Sequence, residues 1–199
     1  MAFAILKGLD APADVSSATL DADGPRAVEA VGCSVSGLAG DASRLEFDRL
    51  DAGLPLNLGL FGALQYRFIP VPDELNRYML TIRNLPDGDY AVHADGRALG
   101  TWPARRLAEG VNLASATADG WEPGGPWEAA AWALAELTEA RTKLFQSKLG
   151  LAHHLPGSPV LPAFDEQAAE INARLEALQH AIVAPRPFHF VVERKEAGR

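Results

Sequence analysis

The sequence offers little that could brace it covalently, carry it across a membrane or hold it to a polyanion. Cys33 is the lone cysteine among 199 residues, so no internal disulfide can form. Lying in an apolar run, it reads as a small core residue. Lys and Arg number 18 against 26 Asp and Glu, a formal net charge of −8. Nucleic-acid binding needs concentrated cations to neutralise phosphates, so this balance argues against a nucleic-acid partner. It argues equally against an anionic membrane surface. No apolar run approaches the ~20 residues of a membrane span. The opening MAFAILKGL is apolar but short, with no basic residue ahead of it, and reads as neither signal nor span. A soluble chain is expected, with its localisation otherwise open. The common catalytic signatures are missing too: G-x-S-x-G, C-x-x-C, H-E-x-x-H and a Gly-rich strand-to-helix loop. No metal and no cofactor is expected.

What is present is hydrophobic mass and turn chemistry. Hydrophobic residues make up 48% of the chain, enough for one domain with a small appendage. Tyr78 to Ala114 is the stretch where the local signals agree best. Tyr78, Leu80 and Ile82 alternate with Met79, Thr81 and Arg83, as in a half-buried strand. Leu85-Pro86-Asp87-Gly88 is a turn, and Asp95-Gly96 is a strong two-residue hairpin signal. Pro103 and Gly110 bracket a short helix.

The rest divides by period. Residues 1–10 read as the end of a helix belonging to a preceding hydrolase domain. Residues 11–114 read as a β-domain: strands at Val15–Leu20, Ala27–Leu38 with a bulge at Gly32, Arg44–Leu50 and Ala63–Ile69, with a turn over Gly37–Ser43. Such frequent turns suggest a sandwich or barrel and not a parallel sheet. Residues 115–126, rich in Gly and Pro, read as a linker. Residues 127–199 read as a helical hairpin plus a terminal strand. Its first helix ends at Gly150, Leu151–Pro162 is a Pro-rich connection, and Phe188–Arg194 alternates as a strand. The expected fold is mainly β, an antiparallel β-sandwich with a C-terminal α-helical hairpin and a final strand, α+β overall.

Candidate chemistry is thin. Serine catalysis needs a base within reach and oxyanion donors. Ser34 and Ser36, in Gly32-Cys33-Ser34-Val35-Ser36-Gly37, approach a nucleophile elbow without matching it, and read more simply as strand residues. Of the five histidines, His93 falls on a solvated strand face, and His153 and His154 form an adjacent pair in a loop before Pro156. His180 reads as partly exposed, and His189 faces away from Phe188 and Phe190. Trp102, Trp121, Trp127 and Trp132 cluster in one segment. They could form stacking platforms for carbohydrate, or they could bury the joint between β-domain and hairpin.

Three motifs carry a family resemblance: Leu85-Pro86-x-Gly88-x-Tyr90, Asp95-Gly96-x-x-x-Gly100-Thr101, and Leu107-Ala108-x-Gly110-Val111-Asn112-Leu113-Ala114. Together they resemble the C-terminal region of bacterial SGNH/GDSL-family hydrolases of the planctomycete type. The opening MAFAILKGLDAPADVSSATLDADG is similar to the segment after that family's Asp-x-x-His block. The resemblance covers about Met1 to Ala114. It implies that the catalytic serine, oxyanion groups and Asp/His pair lie in blocks upstream of Met1, so no catalytic residue transfers to this chain. Asn112 belongs to a different motif from the oxyanion Asn. The implied function is a non-catalytic accessory β-domain of an ester hydrolase, partnered with that hydrolase domain and plausibly with acylated carbohydrate. The alternatives are a stand-alone esterase or lactonase using Ser34 or Ser36 with a histidine, and a carbohydrate-binding module using the tryptophans.

Overall fold

The computed structural model describes residues 2–57 and 68–195. Two compact units are present, Met1–Ala129 with Pro185–Arg199, and Ala130–Ala184. In the first, strands β1 (Asp14–Asp21), β2 (Arg26–Val31), β5 (Arg77–Arg83) and β8 (Val111–Asn112) form one sheet in the order β2-β1-β5-β8. Strands β3 (Cys33–Asp41), β4 (Arg44–Asp51), β6 (Asp89–Ala94), β7 (Arg97–Pro103) and β9 (Phe188–Arg194) form the other, ordered β3-β4-β9-β6-β7. Short helices α1 (Ala2–Gly8), α2 (Val71–Leu75) and α3 (Ala104–Glu109) accompany them. The fold is β-rich and α+β, with two long C-terminal helices and a final strand. No helix among the described residues is long and apolar enough to cross a membrane.

The core is built by period-two alternation from both sheets. Ala18 and Leu20 of β1, Tyr78, Leu80 and Ile82 of β5, Leu45 and Phe47 of β4, and Tyr90 and Val92 of β6 are buried. The C-terminal strand lies at the centre of its sheet, antiparallel to both β4 and β6. Its Phe188, Phe190 and Val192 face inward, and Phe190 stacks on Phe47 with ring centroids 5.1 Å apart. The Asp95-Gly96 hairpin forms as the sequence indicates. Both residues take positive φ, 49° and 76°, which suits the twist of the flanking strands.

Several expectations need correction. The sandwich is not wholly antiparallel: β1 and β5 pair in parallel at the centre of the four-stranded sheet. Gly32 is not a bulge inside one strand. It separates β2 from β3, which pair in different sheets. Its φ is +67°, and a Cβ there would lie 2.9 Å from the Val15 carbonyl oxygen, so glycine is required at this corner. The expected turn over Gly37–Ser43 is mostly strand; β3 runs to Asp41, and the turn is Ala42-Ser43. Of the expected strand at Ala63–Ile69, residues 63–67 lie outside the described residues, and Phe68 and Ile69 sit in a turn and bend. Helix α1 forms as expected near the start and contains no buried residue.

The second unit is a helical hairpin, most of α4 (Pro126–His154) with α5 (Val160–Ile182). Helix α4 does not stop at Gly150, because Gly150 to His154 continue the helix; the connection is only residues 155–159. Pro162 falls in the first turn of α5, where its missing N–H costs nothing. Half-buried residues recur at Leu134, Leu137, Arg141 and Leu144, and on the facing helix at Phe164, Ala168, Asn172, Leu175 and Gln179. This three-and-four spacing is the seam of a two-helix pair. Arg141 donates across it to Asn172 Oδ1 at 2.8 Å and Gln179 Oε1 at 2.5 Å, and pairs with Glu176 at 3.3 Å.

Candidate functional site

The residues singled out by sequence fall in both units. Ser34 and Ser36 are exposed on β3, opposite Leu50 and Asp48, and neither hydrogen-bonds to a histidine among the described residues. His153 and His154 sit in the last turn of α4, not in a loop, with their exposed rings 4.8 Å apart. No group of three His, Cys, Asp or Glu able to hold a metal occurs among the described residues. His180 is exposed, 3.8 Å from Glu176 one helical turn away. The tryptophans differ in burial. Trp127 is buried, donating its indole N–H to the Ala114 carbonyl at 3.0 Å and packing edge-on against Tyr78 and Phe188. Trp102 is half-buried at the edge of the core, with its ring over Gly100, where a Cβ would come within 2.8 Å. Trp121 and Trp132 are 80% and 39% exposed.

Two polar constellations escaped the sequence reading. The first is buried between the sheets. Arg49 and Asp51 follow Leu45 and Phe47 on the inward face of β4, with both side chains fully buried. Asp51 accepts from Ser16 Oγ at 2.6 Å, Arg49 Nε at 2.9 Å and Tyr78 Oη at 2.5 Å. Arg49 also donates to Ser16 Oγ at 2.8 Å and the Met79 carbonyl at 3.0 Å, and its guanidinium lies 3.9 Å over the Tyr78 ring. Charge is neutralised within the cluster, which ties β4 of one sheet to β1 and β5 of the other. Burial pushes the Tyr78 phenol far above its ordinary range. Burial also raises the neighbouring Cys33 thiol, whose Sγ donates to the Ser17 carbonyl at 3.3 Å. A serine bound between a carboxylate and a guanidinium, away from solvent, is a strut and not a nucleophile. A signal was present in the sequence: after Asp48 the alternation inverts, placing charge where Leu45 and Phe47 point and Leu50 outward.

The second lies on the outer face of the five-stranded sheet, where charges of opposite sign alternate across β4, β9 and β6. His189 Nδ1 is 2.9 Å from Asp48, and its Nε2 is 3.9 Å from Glu46. Arg44 pairs with both Glu46 and Glu193 at 2.7 Å. His93 Nδ1 stands 3.9 Å from Glu193, beyond hydrogen-bond length. Beside this ladder a groove of about 360 Å³ opens over β6 and β7. Ala91, Ala98, Gly100 and Thr101 form its floor, and His93, Glu193, Arg194 and Lys195 stand along it. Ala118, whose N–H donates to the Ala98 carbonyl, borders it from the loop after β8. A second cavity, about 280 Å³, lies along the hairpin beside Phe145, Ala168 and the Lys148–Asp165 ion pair.

No family model matches the chain, and no curated protein matches it in sequence. Among solved structures it is similar to a gut microbial diltiazem-metabolizing enzyme, with a TM-score of 0.74 at 21% identity. The match covers 98% of this chain and 53% of that one, so this chain spans about half the length of that enzyme and shares the fold of that half.

Proposed function

We propose that this chain is a non-catalytic accessory β-domain of an SGNH/GDSL-type ester hydrolase, with the reacting groups on a hydrolase domain outside it. The observation that carries this reading is that the residues of the family-like motifs are occupied in holding the fold. Tyr90 donates to the Pro86 and Ala42 carbonyls at 3.0 and 3.2 Å. Asp95 and Gly96 make the hairpin turn, and Gly100 lies under Trp102. Gly110 ends α3 with a φ of +97°. Asn112 accepts from the Tyr78 and Ala114 amides and donates to the Pro72 and Asn76 carbonyls, four bonds through one side chain. Motif members engaged in this way mark an architecture and not a reaction centre. The fold likeness, nearly the whole of this chain over about half of an enzyme, is of the kind an accessory domain would give.

The test is turnover of p-nitrophenyl acetate by the purified chain, with the reading frame upstream of Met1 sequenced in parallel. No turnover above buffer, with upstream Gly-Asp-Ser and Asp-x-x-His blocks, is the expected result. Turnover abolished by Ser34→Ala or Ser36→Ala would replace this reading with a stand-alone esterase.

A further inference from the structure

We infer that the helical hairpin is one half of a four-helix bundle, completed by a second copy of this chain. None of residues 130–184 is fully buried. Two antiparallel helices make a seam, whereas four enclose a core. The polar cross-links of the seam lie on one side of the hairpin. Arg141 reaches Asn172, Glu176 and Gln179, and Lys148 lies 3.2 Å from Asp165. Phe164, Ile171 and Leu178 each stand one residue before Asp165, Asn172 and Gln179, about 100° around the helix. On α4, Ala133, Ala140 and Ser147 likewise stand one residue before Leu134, Arg141 and Lys148. In an antiparallel pair that step turns both rows to the same side, away from the cross-links. Ile171 and Leu178 there are 48% and 54% exposed.

This face is complementary to itself. One row is large and the other small, and both repeat every seven residues. The contacts of Arg141 and Lys148 set the levels, placing Ile171 between Ala140 and Ser147, and Leu178 between Ala133 and Ala140. A copy related by a two-fold axis along the hairpin lays each large row into the gaps of the other copy's small row. Ion pairs within one helix border the face, Arg174 with Glu170 and Lys143 with Glu139, so these charges do not repel their own copies. The 23 residues of α5 span roughly 34 Å. Two helices of that length side by side present roughly 700 Å² per copy, about 1,400 Å² for the pair, the size of a specific, stable interface. Only the helical unit is involved, so the inference goes beyond the accessory-domain reading, and the ester assay that decides that reading does not decide this one.

The experiment is sedimentation equilibrium of the whole chain across the micromolar range, with far-ultraviolet circular dichroism to show that each variant is folded. A dimer is expected. Ile171→Lys with Leu178→Lys, both at exposed positions, should weaken it roughly a hundredfold. Ala140→Leu adds apolar surface but fills a gap, and should weaken it about tenfold. Phe145→Lys should leave it unchanged, because Phe145 is on the polar side beside Arg141, Lys148 and Asp165, although it is 59% exposed. A chain monomeric throughout overturns the inference and leaves the face to another partner. It is also overturned by a dimer that survives the double lysine change, that Phe145→Lys dissociates as readily, or that Ala140→Leu tightens.

Discussion

The β unit and the helical unit each place an arginine among polar partners between packed elements, and they do so under opposite conditions. Arg49 is fully buried, and each of its nitrogens meets an acceptor from the same strand or the opposite sheet. Arg141 is about one-third exposed, in a seam where α5 has no buried residue at all. Around Arg49 lie Phe47, Leu80 and Tyr78, each excluded from solvent. Around Arg141 the hairpin leaves Phe145, Leu149, Ile171 and Leu178 between 48% and 59% exposed. The same side chain is therefore a high-stakes clamp in one unit and a loosely held cross-tie in the other. A buried charge cannot lose one partner without stranding the other, whereas a half-exposed one is rescued by water.

Breaking the clamp gives the largest expected effect. Arg49→Ala should destabilise the β unit by about 3–5 kcal/mol, because Asp51 is left charged and buried. Urea unfolding followed by the fluorescence of buried Trp127 measures it. Replacing both partners, Arg49→Met with Asp51→Leu, should cost clearly less than the single change. If the single change proves as mild as the double, the cluster is not a clamp. Tyr78→Phe comes next. It removes one donor to Asp51 while Ser16 and Arg49 remain, so a loss of about 1–2 kcal/mol is expected in the same assay. The corresponding cut in the hairpin, Arg141→Ala, should cost about 1 kcal/mol or less. Hydrogen exchange across residues 130–184 localises it, and a loss as large as that of Arg49→Ala would erase the contrast between the units.

How much of this was legible follows from the range over which each signal acts. The Asp95-Gly96 hairpin, the inward alternation of β5 and the terminal strand are written within a few residues, and they form as read. Gly32 reads as a bulge but is a corner, because which sheet each flanking strand joins is decided by partners far along the chain. The parallel pairing of β1 with β5 joins Ala18 to Leu80, and no local pattern specifies it. Helix α4 outran its expected stop because a glycine in a helix costs only about 1 kcal/mol relative to alanine, and the seam continues through Leu151. Arg49 and Asp51 are hard to read as buried because charge in an alternating strand ordinarily marks the outward face. Alternation identifies the faces of a strand, but only three-dimensional partners determine whether a charge can be buried. The outer-face groove was illegible for a related reason. Its residues come from three strands and a loop, and each by itself looks like a solvated position.

The smallest effect tests the boundary of the β unit's interior at Glu128. Burial raises its carboxyl above the usual range, opposed by the Gly124 N–H at 2.9 Å and by the charge of Arg97. A carboxyl raised on folding holds its proton more tightly in the folded chain than in the unfolded one. Its contribution is therefore most favourable below the unfolded carboxyl range and declines as pH rises through the interval up to the folded value. Asp21 and Asp41 run the other way. Hydrogen bonds from Asn84 to Asp21, and from the Ser43 hydroxyl and amide to Asp41, lower them. Their contribution is complete above the ordinary aspartate range and is lost as pH falls through their depressed values. Glu128→Gln keeps an oxygen to accept the Gly124 N–H and removes the titration. The variant should thus gain thermal stability relative to the parent as pH rises from about 4 toward neutrality, as carboxyls ordinarily ionise there. Asp41→Asn should lose ground as pH rises through the depressed Asp41 value to about 4, and run parallel to the parent above it. If both variants track the parent at every pH, then neither the buried edge at Glu128 nor the turn at Asp41 is electrostatically linked to folding, and the contrast in stakes is confined to the Arg49 clamp.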